Sequence, residues 1–168
     1  MKKAFVLLPL LVALSAQSAV AADTLVKFRG GIGVIPDASA TAGVVNLNVV
    51  RGVQPAGQIW VISALTANVK TDGSIRASGR GLLLGGGPQI GFNGNANVFA
   101  TLICEAEAPF TELSTSAAGV PLAPNGDFKI DDVLVPAPPA DCASPVLLIR
   151  VTGANPGWFA AGIPKLGK

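Results

Sequence analysis

The sequence predicts an all-β fold: an antiparallel β-sandwich or, as the alternative, a small closed β-barrel. Three observations carry that expectation. Apolar residues recur with period two, a helical period is almost absent, and the short runs are separated by clusters such as PNGD, PAPPADC and GANPG. Successive side chains of a strand point to opposite faces, so period two marks half-buried strands, while Pro, Gly, Asn and Asp mark the turns between them.

At the N-terminus, Lys2 and Lys3 precede the apolar run 4–14, and Ala19-Val20-Ala21 ends the segment in small residues. That order predicts an export signal over 1–21, removed from the mature chain. The apolar run is shorter than the roughly 20 residues that cross a bilayer. Residues 22–168 contain no repeat, charge run or linker and are expected to form a single β-rich domain.

In the first candidate strand Val26, Phe28, Ile32 and Val34 line one face and Lys27 and Arg29 the other. In the second, Val45, Leu47 and Val49 alternate with Asn46, Asn48 and Val50. Further candidates are 59–70, 75–84, 96–105, 110–114, 127–133, 146–151 and 158–163, the last placing Trp158 and Phe159 against the core.

The segment LTANVKTDGSIRASGR predicts a hairpin whose register can be worked out. A two-residue turn would set Leu65 opposite Arg80 and Val69 opposite Arg76, mixing apolar and charged groups on one face. A three-residue turn, Thr71-Asp72-Gly73 with Gly73 at positive φ, pairs Asn68 with Arg76, Leu65 with Gly79 and Val61 with Leu83. It gathers Val61, Leu65, Val69, Ile75, Ala77 and Leu83 on one face, and Asn68, Lys70, Arg76, Ser78 and Arg80 on the other. Burial of one face selects register, so the second arrangement is expected.

The glycine-rich stretch 79–104 invites comparison with a phosphate loop. Such a loop needs G-x-x-x-x-G-K-[ST] opening a helix. Here no lysine follows Gly85-Gly86-Gly87, and a strand comes next. These glycines are expected to turn the chain.

Charge and chemistry narrow the function. Twelve Lys and Arg face ten Asp and Glu; without Lys2 and Lys3, ten face ten. A neutral mature chain offers no electrostatic footprint for nucleic acid and little protection against self-association. Histidine and tyrosine are absent, which excludes Ser-His-Asp and Cys-His catalysis and imidazole metal sites. No catalytic or cofactor motif stands out, and none is expected. The lack of tyrosine also speaks against the aromatic girdles of a transmembrane barrel.

Cys104 and Cys142 are expected to pair in an oxidising periplasmic or extracellular compartment. Asn125, Asp127, Asp131 and Asp132 loosely suggest a calcium loop, but a structural turn is the preferred reading. Glu105 and Glu107 could share a strand face as paired carboxylates do. Arg76 and Arg80, with Lys70 nearby, form a cationic strip, and parity puts Trp60 on the same face if the strand continues unbroken. That face is the candidate site for a small ligand or glycan.

The segments NVFATLICEAEAPF, PNGDFKIDD, CASPVLLIR and WFAAGIP resemble those of small exported bacterial proteins of an uncharacterised family. The resemblance spans most of the mature chain and implies no activity. Length, export signal and one cysteine pair are also similar to chaperone–usher fimbrial subunits. Those carry the pair early and a penultimate tyrosine, whereas this chain has a late pair and no tyrosine. The expected function is that of a non-catalytic exported β-domain acting by binding or by surface assembly. Its expected partner is a protein or a surface, self-association included. A small-ligand or glycan binder is the alternative, and a hydrolase using Glu105, Glu107 or Asp127 the most remote one.

Overall fold

The computed structural model describes residues 21–41 and 44–165. The export signal expected at 1–21 lies outside them except for Ala21. Strands follow in the order β1 (Thr24–Gly33), β2 (Asp37–Thr41), β3 (Val44–Leu47), β4 (Trp60–Val61), β5 (Ala64–Lys70), β6 (Ser74–Arg80) and β7 (Leu83–Leu84). After them come β8 (Asn97–Ile103), β9 (Leu113–Ser114), β10 (Val120–Pro121), β11 (Phe128–Val133), β12 (Val146–Val151) and β13 (Trp158–Pro164). No helix among the described residues is long and apolar enough to cross a membrane.

Nine strands form one antiparallel sheet in the order β10-β8-β12-β13-β1-β5-β6-β11, with β9 beside β10 on β8. The sheet nearly closes into a barrel, because β9 reaches the chain that leaves β11. Ser114 N donates to Val135 O (3.1 Å) and Val135 N to Ser114 O (2.8 Å). Ser116 N donates to Asp132 Oδ2 (2.9 Å). Between β9 and β10 the strand is interrupted, and the Thr115 hydroxyl accepts from Ala100 N (3.0 Å) in place of a carbonyl. The interior holds Phe28, Leu65, Val69, Ile75, Ile130 and Leu147, all buried.

The β5–β6 hairpin has the expected register: Asn68 opposes Arg76 and Leu65 opposes Gly79, and Val61 opposes Leu83 between β4 and β7. Gly73 sits at φ 86°, a region that a residue with a Cβ rarely adopts. The glycine-rich stretch turns the chain as expected, with Gly87, Gly91 and Gly94 at positive φ and β8 following.

Two expected placements are corrected. Ile32 is 61% exposed, because the β1 register shifts between Phe28 and Gly31, around Gly30 at φ 94°. One inserted residue turns Ile32 to the opposite face, while Val34, past the end of β1, is buried as expected. Val45, Leu47 and Val49 are exposed too, since β2 and β3 pair only with each other.

Cys104 and Cys142 are bonded, with Cα atoms 4.8 Å apart. The bridge sits next to the Val146–Ile103 pair that begins the β12–β8 ladder, and Ser144 N donates to Cys104 O (3.2 Å). Arg51 braces the same corner, donating from Nη1 to Ser144 O (2.7 Å) and from Nη2 to Ser144 Oγ (2.8 Å).

Two outcomes are expected. Opening the disulfide, by reductant or in the Cys104→Ala/Cys142→Ala variant, should cost about 3–4 kcal/mol by the loop-entropy argument; an unchanged urea midpoint would refute its stapling role. In the hairpin turn, Ser74 N donates to Asp72 Oδ1 (2.8 Å). That backbone bond chiefly holds the Asp72 carboxyl below its usual range, with Lys70 assisting. Since the folded value lies below the unfolded one, the stabilisation is present above the ordinary carboxylate pKa. It is lost as pH falls through the lowered folded value. Asp72→Ala should therefore flatten part of the acid limb of stability against pH, measured by urea unfolding at a series of pH values.

Candidate functional site

The outer face of β1, β5, β6 and β11 is built row by row from the ladder registers. Lys27 opposes Asn68, Asn68 opposes Arg76, and Arg76 opposes Asp131. In the adjoining row Arg29 opposes Thr66, Thr66 opposes Ser78, and Ser78 opposes Lys129. Arg80 opposes Ala64 one step further along. Neighbouring strands lie about 4.8 Å apart and same-face residues about 7 Å apart along a strand, so these groups form a continuous platform.

The platform has a polar floor and a cationic rim. Thr66 Oγ1 and Ser78 Oγ are hydrogen-bonded to each other (3.2 Å). Arg76 Nε donates to Asp131 Oδ2 (3.1 Å) with both side chains well exposed, and an exposed ion pair of this kind adds about 0–1 kcal/mol. Arg80 and Lys129 make no ion pair among the described residues. A depression of about 500 Å³ between β5, β6, β11 and Pro121 is lined by Thr66, Ser78, Arg80, Asp127 and Lys129. That volume falls in the range of small-ligand sites. Asn68 Oδ1, in the middle of the first row, is buried without a hydrogen-bond partner.

Arg76 and Arg80 thus lie on one face, as the sequence predicts, but Trp60 does not join them. It is 5% exposed and stacked on Phe159, with ring centroids 3.9 Å apart and planes at 15°. The strand that was to carry it outward is broken at Ile62-Ser63, and opposite the break Gly81 takes φ 63°. The short β4–β7 ribbon turns at that point, burying Trp60 and exposing Val61.

The acidic candidates separate. Asp131 points to Arg76, Asp132 to Ser116 N, and Asp127 Oδ1 accepts from Gly81 N (3.1 Å). Asn125 Oδ1 accepts from Asp127 N (3.2 Å), closing a turn. Glu105 and Glu107 lie beyond the end of β8 instead of on a strand face. Glu105 Oε2 accepts from Thr111 N (3.2 Å), and that backbone bond is the main reason its carboxyl is held below the usual range.

Sequence reasoning missed Arg150. It is 6% exposed, paired through Nη1 with Glu112, and donates from Nε to Pro156 O (3.0 Å). Its guanidinium lies over the Phe99 ring, 5.4 Å from the centroid, at the wall of a cavity of about 490 Å³ that Phe159 also lines. The signal was a single cation inside the apolar run VLLIRV, which only a paired partner makes tolerable.

Compared with known proteins, this chain matches no family, no curated protein and no solved structure.

The burial of Trp60 predicts that Trp60→Ala removes about 3–5 kcal/mol of stability through the cavity it leaves. Chemical denaturation measures this; a loss below about 1 kcal/mol would return Trp60 to the surface.

Proposed function

We propose that this chain is a non-catalytic exported binding domain whose ligand is an anionic glycan held on the outer face of β1, β5, β6 and β11. One observation carries the reading. Of the ten Lys and Arg that remain without Lys2 and Lys3, six lie on this face: Lys27, Arg29, Lys70, Arg76, Arg80 and Lys129. A chain without net charge therefore presents a local cationic field.

The chemistry of the floor narrows the ligand class. Thr66, Ser78 and Asn68 offer hydroxyl and amide groups that suit sugar hydroxyls, while arginine forks suit carboxylates and sulfates. Asn68 Oδ1 lies beneath this face without a hydrogen-bond partner, and its burial costs free energy. The two rows hold no aromatic side chain, and base stacking, the mainstay of single-stranded nucleic-acid binding, has no platform there. The Cys104–Cys142 bond is compatible with the oxidising compartment in which such glycans are met.

Calorimetric titration with a uronate- or sulfate-bearing polysaccharide, and with a neutral one, tests the proposal. The anionic polymer alone should bind, and binding should weaken as ionic strength passes about 0.1 M, where the Debye length is about 10 Å. Arg80→Glu/Lys129→Glu should lower affinity by about tenfold or more with folding intact. Equal binding of the neutral polymer, or no effect of the double variant, refutes it.

A further inference from the structure

We infer that the cavity walled by Arg150 and Glu112 is a second binding site, which takes a neutral, peptide-like amide carrying an apolar side chain. The cavity measures about 490 Å³ and is lined by the loop 52–57 and by the turn that joins β12 to β13. That size is usual for small-molecule sites. It shares no lining residue with the cationic depression on β5, β6 and β11. Its occupancy does not rest on the glycan reading, and the two can fail separately.

The walls are held in place by the fold. Ala56 N donates to Trp158 O (3.0 Å) and Trp158 N to Gln54 O (3.0 Å), fastening the loop to β13. Val151 N donates to Gly157 O (3.0 Å) and Arg150 Nε to Pro156 O (3.0 Å), closing the turn. Val53, Ala56 and Phe159 are buried core residues that also line this space. A preformed apolar hollow with few polar groups takes up a small ligand without the cost of ordering loops.

Those few polar groups are specific. Every nitrogen of a guanidinium is a donor, and a buried one needs partners. Nε serves Pro156 O, while Nη1 serves Glu112 Oε2 and Thr101 Oγ1. Nη2 has no partner among the described residues. It is not sealed either, since the buried partnerless side-chain atom among them is Asn68 Oδ1. Nη2 thus keeps a path to solvent, and the cavity that Arg150 lines supplies it. Beside it the Glu112 side chain is 45% exposed, with Oε1 unbonded. A free donor next to a free acceptor matches the C=O and N–H of an amide. Charge decides against an anionic ligand. Glu112 already neutralises Arg150, so a carboxylate at Nη2 would sit beside a second carboxylate, and like charges in contact are costly. A sugar is disfavoured as well, because its hydroxyls need partners that Val53, Ala56 and Phe159 do not give.

Titration with N-acetyl-leucinamide, followed by NMR through the backbone amides and the Arg150 Nε–H, tests the inference on the folded chain. The probe should shift Gly57, Asn155 and Arg150 Nε saturably. It should bind about tenfold or more tighter than N-acetyl-leucine, its anionic counterpart. Glu112→Gln removes the neutralising charge and should reverse that order, whereas a purely structural ion pair would leave it unchanged. Gly57 lines the cavity with open space where a Cβ would stand. Gly57→Trp should therefore fill part of it and abolish the shifts at Asn155 and Arg150 in a chain that still folds. No saturable shift, equal affinity for the two probes, shifts that survive Gly57→Trp, or an unreversed order in folded Glu112→Gln overturns the inference. So does N-acetylglucosamine binding as tightly as the amide, which would make the occupant a sugar.

Discussion

Closure of the antiparallel sheet is the constraint on which the rest of the structure depends. An open sheet with β8 and β11 at its borders would expose two rows of unpaired backbone groups. The chain covers both with one segment, β9 and β10, which pairs with β8 on one side and meets Val135 and Asp132 on the other. The disulfide encloses that segment and β11 in one loop, Cys104 lying at its start and Cys142 at its end. A loop tied at its root loses less conformational freedom on folding, and the staple sits where closure needs it. Arg51, by binding Ser144, locks the same corner from outside.

Closure also sorts the charges. A barrel has one inside, and here it is apolar, so every charged residue on β5, β6 and β11 is pushed outward or to a strand end. Outward positions favour long stems that cover the sheet while keeping their charge in water, which suits Lys and Arg. Short acidic side chains bond neighbouring backbone instead and gather in turns and loops. Asp72 sits in the hairpin turn, and Glu105, Glu107 and Asp141 lie in loops near the disulfide. A neutral composition thereby becomes a cationic wall with acidic margins. On β5, β6 and β11 the pattern is apolar within and charged without.

What the sequence revealed follows from the range of the forces involved. The β5–β6 register was legible because alternation and a DG turn over sixteen residues agree on one answer, and mispairing would bury Arg76 or Arg80. The placement of Trp60 was not, because parity survives only as long as the strand does, and beyond the break at Ile62-Ser63 Trp60 stacks on Phe159, a partner far along the chain. Ile32 failed in the same way at the Gly30 bulge. The rows of the candidate site were half visible. Arg76 and Arg80 belong to one hairpin, but Lys27, Arg29 and Lys129 join them only through the β1–β5 and β6–β11 ladders. Arg150 and Glu112 needed the fold itself to bring them together.

Set against this effort at closure, the β2–β3 ribbon is the exception. The other small ribbon, β4–β7, has its borders occupied: Trp60 N donates to Val34 O and Leu84 N to Phe92 O. The large sheet spends a disulfide, two short strands and a side-chain hydroxyl on covering its own. Only β2 and β3 keep both outer edges without a ladder partner among the described residues, and there exposed Val44, Val45 and Leu47 stand beside the exposed charge of Asp37.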